Sequence, residues 1–123
     1  MLFRSGGTRT ASINGGMIAL ALALKKLRKS GALAEWPLKN LLGAVSAGIV
    51  GGRPVLDLDY ELDEKADSDL NFVMTAGGKF VEVQGTAERE PFSREEFLKL
   101  MNLAKQGIND LLAIQKKVIG KMP

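Results

Sequence analysis

Two stretches of the 123-residue chain carry residue types whose spacing could do chemistry. The first is GGTRTASI, residues 6–13. A helix N-terminus has unpaired backbone N–H groups and a partial positive charge. Glycines such as Gly6 and Gly7 let that backbone approach an anion closely. Thr8 or Thr10 could cap the helix or donate a hydroxyl proton, and Arg9 could grip an oxyanion with two charge-assisted bonds. Together they describe an anion site. From the octapeptide alone, a plain turn followed by a cap and a solvated arginine stays open.

The second stretch is LDLDYELDEKADSDLNFVM, residues 56–74, and seven of its first fourteen residues are acidic. Carboxylates held close together attract a hard divalent cation such as Mg²⁺. Asp57 and Asp59 share one face of a strand pattern, because side chains alternate with a period of two. Asp63 and Asp69 flank the connection to the next strand and would converge if that connection folds back. Acids in such a connection also serve simply to keep sheet edges soluble, which suits Glu61, Glu64 and Asp67.

Composition narrows the chemistry further. The chain has neither histidine nor cysteine. Histidine triads, paired-histidine nucleases, thiol nucleophiles, disulfides and thiolate metal sites are therefore excluded. Net charge is +3, unevenly spread. Residues 1–40 carry seven Lys/Arg against one acid, residues 51–90 four against ten, and residues 91–123 six against three. An acidic middle between basic flanks suits a site that holds a cation beside an anion, although chance patterning of a solvated surface is also open. No apolar run is long enough to cross a bilayer: MIALALAL stops at Lys25 and Lys26.

The elements that must position these residues follow from periodicity. Residues 11–29 predict a helix whose apolar face is Ile13, Met17, Leu20, Leu24 and Leu27. A loop with Trp36-Pro37 follows. Four strand patterns come next: LLGAVSAGIV (41–50), VLDLDY (55–60) after a GGRP turn, LNFVMT (70–75), and KFVEVQGT (79–86) after an AGG hairpin signal. Gly85 inside a strand pattern predicts a bulge or a close backbone approach. Ser93 and Glu96 have capping-box spacing. They open a second helix over roughly 93–118, with a stripe of Phe97, Met101, Ala104, Ile108, Leu111 and Val118. Trp36 and Phe92 could stack on a base, but packing is the favoured role for both. The expected class is α+β: helix, four strands, helix, with both helices packed on the sheet.

GGTRTASI, AVSAGIV, LDLDY with its acid-rich connection, DLNFVMT, and FVEVQGTAE followed by PFSREE together resemble the ribonuclease PH family. The resemblance covers nearly all of residues 6–118, and its motifs occur in order. It implies the C-terminal half of a ribosomal protein S5 domain 2-like fold. The implied activity is a phosphate-dependent 3′-to-5′ exoribonuclease that trims transfer RNA precursors, consumes inorganic phosphate and releases nucleoside diphosphates. The family assembles as a hexameric ring, and a cytoplasmic location without membrane attachment is expected. By the same resemblance, Gly7, Thr8 and Arg9 bind phosphate, while Asp63 and Asp69 supply the catalytic and Mg²⁺-binding carboxylates.

Two positions depart from the family pattern: Leu62 precedes Asp63 where Glu is usual, and Asn14 stands where Thr is common. The family's chain is about twice as long. Residues 1–5 do not resemble what precedes GGTRTASI in the family, so the expected division is a foreign leader (1–5), the half-domain (6–118) and a tail (119–123). The alternatives are another phosphorolytic member of the superfamily (an exosome active subunit or a polynucleotide phosphorylase core) and a non-catalytic RNA-binding or ring-forming subunit. Retention of Arg9, Asp63 and Asp69 argues for the enzyme.

Overall fold

A computed structural model describes residues 6–56 and 66–123. Helix α1 (Gly6–Lys29) leads into strands β1 (Leu42–Val50), β2 (Arg53–Leu56), β3 (Ser68–Thr75) and β4 (Phe80–Ala87), and helix α2 (Arg94–Ile119) follows. The four strands form one antiparallel sheet in the order β2-β1-β3-β4. The class is α+β, as the periodicity implied.

Turn chemistry explains the two short connections. Gly51 and Gly52 both have positive φ, 58° and 77°, as a two-residue hairpin loop requires. The turn is therefore shorter than GGRP. Arg53 and Pro54 already belong to β2, with Pro54 opposite Ile49, and β2 is an edge strand, where a missing N–H is tolerated. Of the expected strand 55–60, residues 57–60 lie outside the described residues. The β3–β4 turn closes through Thr75 N–H to the Lys79 carbonyl at 2.8 Å, with Gly78 at φ 85°.

The core lies between the sheet and the helices. Val45, Ala47 and Ile49 of β1 share a face with Leu70, Phe72 and Met74 of β3, and all are buried. Leu100, Ala104, Ile108 and Leu112 of α2 pack into the same cluster, joined by Met17 and Ala21 of α1. Each buried aliphatic side chain contributes about 1.5–3 kcal/mol.

The stripes of both helices differ from those periodicity suggested. In α1 the buried positions are Thr10, Met17 and Ala21, whereas Leu20 and Leu27 are exposed. In α2 the stripe runs through Leu100, Ala104, Gly107, Ile108, Leu112, Gln115 and Ile119, and Val118 is exposed. The reason is that polar side chains occupy buried faces. Asn14 Nδ2 donates to the Ala44 carbonyl at 2.9 Å, and Ala44 N–H donates to Asn14 Oδ1 at 2.8 Å. Gln115 Nε2 donates to the Leu42 carbonyl at 2.9 Å. Among the described residues, β2 pairs with residues 47–50 of β1. Asn14 and Gln115 thus satisfy backbone groups of Ala44 and Leu42 in β1, which would be costly to leave bare in a part-buried setting.

Candidate anion and carboxylate site

Helix α1 begins at Gly6, five residues before the periodic apolar pattern. Gly7, Thr8 and Arg9 are therefore first-turn residues rather than a preceding loop. They lie in the first described turn of the helix. No acid sits in that turn to occupy the positive end of the dipole. Thr8 is exposed, and its carbonyl accepts from Ser12 Oγ at 2.9 Å. Thr10 is buried, so its side chain packs inward rather than capping the helix.

Arg9 does not hang free in solvent. Its Nη2 meets Glu82 Oε1 at 2.5 Å, and its Nη1 donates to Gln84 Oε1 at 3.4 Å. Glu82 and Gln84 are two apart on β4 and so share a face. Across the ladder, Gln84 is opposite Asn71, Thr86 is opposite Asp69, and on the other side Ser46 and Gly48 are opposite Asn71 and Asp69. The guanidinium thus lies over the sheet face that carries Asn71 and Asp69. Those two residues are separated along β3 by about 7 Å, two residues of rise. One carboxylate oxygen of Asp69 and the amide oxygen of Asn71 are both buried.

Local sequence explains the placement of Asp69. Leu70 and Phe72 point into the core, which turns Asp69 and Asn71 to the opposite face. Gly85 stands against this strand, where a Cβ would lie 2.5 Å from Leu70 Cγ and 2.7 Å from the Asp69 carbonyl oxygen. The expectation at Gly85 resolves as a close approach, while the register shift falls at Val73/Met74. Of the other candidates, Asp57, Asp59, Glu61, Asp63 and Glu64 lie outside the described residues. Among the described residues, no group of three or more carboxylates gathers to hold a metal ion. Phe92 stacks on Phe97, ring centroids 6.3 Å apart, and packs against the core rather than offering a base platform.

The family model described as "3′ exoribonuclease family, domain 2" matches residues 40–107, more than half of the chain. The chain belongs to the 3′ exoribonuclease family. Within that family it is 48% identical over 120 residues to ribonuclease PH of Syntrophomonas wolfei subsp. wolfei, which covers 98% of this chain and 50% of that protein. It is 54% identical over 114 residues to ribonuclease PH of Neisseria gonorrhoeae, covering 93% of this chain and 47% of that one. The chain therefore spans about half the length of the curated relatives it matches. The crystal structure of rice (Oryza sativa) Rrp46 superposes with a TM-score of 0.71 at 17% identity, over 95% of this chain and 50% of that one. That likeness carries the fold alone.

For this member of the 3′ exoribonuclease family, sequence reasoning left Glu82, Gln84 and Ser46 without a role and used Asn71 only as part of a motif. The period-two alternation of FVEVQGT does place Glu82 and Gln84 on one face. Nothing local says that an arginine 73 residues away meets them.

Proposed function

We propose that this chain supplies the phosphate-binding and carboxylate half of a phosphate-dependent 3′-to-5′ exoribonuclease acting on transfer RNA precursors. The observation that carries the reading is the position of Arg9, at an N-terminal helix turn and over the sheet face that bears Asp69. Phosphorolysis brings one anion against another, so positioning and charge neutralisation supply most of the rate.

In this reading the first-turn N–H groups, the Thr8 hydroxyl and the Arg9 guanidinium hold inorganic phosphate. A phosphate oxygen attacks the last phosphodiester phosphorus. The bond from that phosphorus to the 3′ oxygen of the preceding nucleotide breaks, and a nucleoside diphosphate leaves. The leaving oxygen takes a proton from the carboxyl of Asp63 or Asp69 or from solvent.

The carboxylate of Asp69 and the amide oxygen of Asn71, both partly buried on one face, are hard oxygen donors that suit Mg²⁺. Asp69, with Asp63, would hold such an ion. When bound, it would offset charge on the scissile phosphate. The reading extends to a cytoplasmic homo-hexamer, which would bring copies of this half-domain into one ring. Among the described residues no helix is long and apolar enough to cross a membrane.

The test is release of nucleoside diphosphate from a short RNA with a single-stranded 3′ end, with Mg²⁺, with and without inorganic phosphate. The expected result is phosphate-dependent release that Asp69→Asn abolishes. The chain spans only half of its relatives' length, so the same assay is run on the chain fused to the other half of a relative. Release without phosphate, or full release by Asp69→Asn, overturns the reading.

A further inference from the structure

Strand β3 starts beside a cavity of about 240 Å³. It lies where the end of β1 and the start of β3 meet the segment leading into α2. Ile49 and Phe92 wall it together with Asp67, Ser68, Glu90 and Glu96, and no lysine or arginine lines it. Ser68 is opposite Ile49 in the ladder and shares the face of Leu70 and Phe72. Ser68 therefore points to the opposite side of β3 from Asp69.

Ser68 is 1% exposed, yet its hydroxyl oxygen has no hydrogen-bond partner among the described residues. Such a group is costly to bury bare, and a ligand in the cavity would supply the partner. Among the described residues, Asp67, Glu90 and Glu96 pair with no cation. Glu96 is partly used: its Oε1 accepts from the Ser93 N–H at 2.9 Å, and its charge answers the positive end of the α2 dipole. Asp67 is fixed through its backbone. Its N–H donates to the Ile49 carbonyl at 2.8 Å, and its carbonyl accepts from the N–H groups of Glu88 and Arg89 at 2.8 and 3.2 Å. The Asp67 carboxylate takes part in none of these bonds.

This lining fits an organic cation with N–H donors. The carboxylates and the Ser68 hydroxyl can all accept, and an aromatic wall attracts an ammonium group. Among the described residues, no three carboxylates stand close enough to share a metal ion. The cavity is also smaller than the about 300–1,000 Å³ of drug-sized sites. We propose that it binds a primary alkylammonium, carried by a short diamine or by a lysine side chain of another protein. The ammonium donates to Ser68 Oγ and to the carboxylates of Asp67 and Glu90.

The experiment titrates the 123-residue chain with 1,4-diaminobutane and, separately, with lysine blocked at both ends, by calorimetry at low salt. Saturable binding with a Kd on the order of 1 mM or tighter is expected. The tighter of the two compounds names the source of the ammonium, a free diamine or a protein side chain. Ser68→Ala should weaken binding about 10-fold, because a hydrogen bond to a charged group is lost. It should leave the urea midpoint of the free chain unchanged or raise it, because the hydroxyl removed has no partner. A purely structural Ser68 would lower that midpoint. Glu90→Gln, at an exposed position, should weaken binding about 2- to 5-fold and leave folding unchanged.

No saturable binding of either compound overturns the proposal. So does a Ser68→Ala chain that binds as tightly as the parent. Tetramethylammonium has the charge but no N–H and should not displace the bound compound. Displacement by it, or by Mg²⁺, at equal concentration also overturns the proposal, since the cavity would then answer to charge alone.

Discussion

Arg9 and Glu82, 73 residues apart in the chain, form an ion pair with Nη2 and Oε1 at 2.5 Å. The partner of the guanidinium is thus a carboxylate; under the proposed phosphorolytic reading, an incoming phosphate would compete with it. The side chains are 46% and 34% exposed, so solvent screens the pair and its worth is about 1 kcal/mol at most. Such a pair orients the arginine without blocking exchange. Glu82→Gln should then tighten inorganic phosphate binding by about 2- to 5-fold, while Arg9→Ala should abolish it. Titration calorimetry with phosphate checks both, and weaker binding in Glu82→Gln would mean that Glu82 holds Arg9 in its working position.

Asn14 acts as a substitute for a strand residue, since it both donates to and accepts from the Ala44 backbone. Asn14→Leu removes both bonds and leaves a part-buried N–H and carbonyl bare. The expected cost is about 2–4 kcal/mol, from two groups at about 1–3 kcal/mol each with partial access to water. Urea denaturation followed by circular dichroism measures it. Asn14→Thr should cost less, because one hydroxyl can satisfy one of the two groups.

Gly85 allows β4 to sit directly against Leu70 and the Asp69 carbonyl. In Gly85→Ala the added carbon has no space, and the neighbouring atoms are mostly backbone. Overpacking of this kind costs about 1–3 kcal/mol. The shift is forced onto the strand that carries Asp69, so phosphorolysis in the two-half fusion should fall by more than the change in folded fraction explains. Equal losses of folding and activity would restrict Gly85 to a packing role.

Ser93 and Glu96 cap α2 reciprocally: Glu96 N–H donates to Ser93 Oγ at 3.1 Å, and Ser93 N–H donates to Glu96 Oε1 at 2.9 Å. Ser93→Ala should lower stability by about 1 kcal/mol without changing phosphate affinity, because the cap lies on the helix that does not carry Arg9. A phosphate titration alongside the denaturation curve separates the two effects.

Several parts of this structure were legible before any tertiary information. The capping box needs only the spacing of Ser93 and Glu96, and both hairpins need only their glycines. Alternation in LNFVMT and FVEVQGT set which residues share a face. The helical stripes were less legible. Apolar periodicity chose Leu20 and Leu27 in α1, yet these are exposed. The buried face instead includes Thr10 and part-buried Asn14, because the Asn14 side chain satisfies both backbone groups of Ala44. The start of α1 was also hidden, since Gly6 and Gly7 weaken any helical signal from propensity alone.

By itself the sequence determined the local geometry. Asp69 and Asn71 fall on one face of β3, Glu82 and Gln84 on one face of β4, and Thr8 and Arg9 precede an apolar helical run. Side-chain period is a property of a single strand or helix, so it needs no partner. Only the tertiary structure decided that these faces coincide. The register that sets Asn71 opposite Gln84, and the docking of α1 that brings Arg9 to Glu82, depend on which distant surfaces pack. That choice is made by the shared core of β1, β3, α1 and α2, where burial outweighs the entropy of closing a loop of some seventy residues.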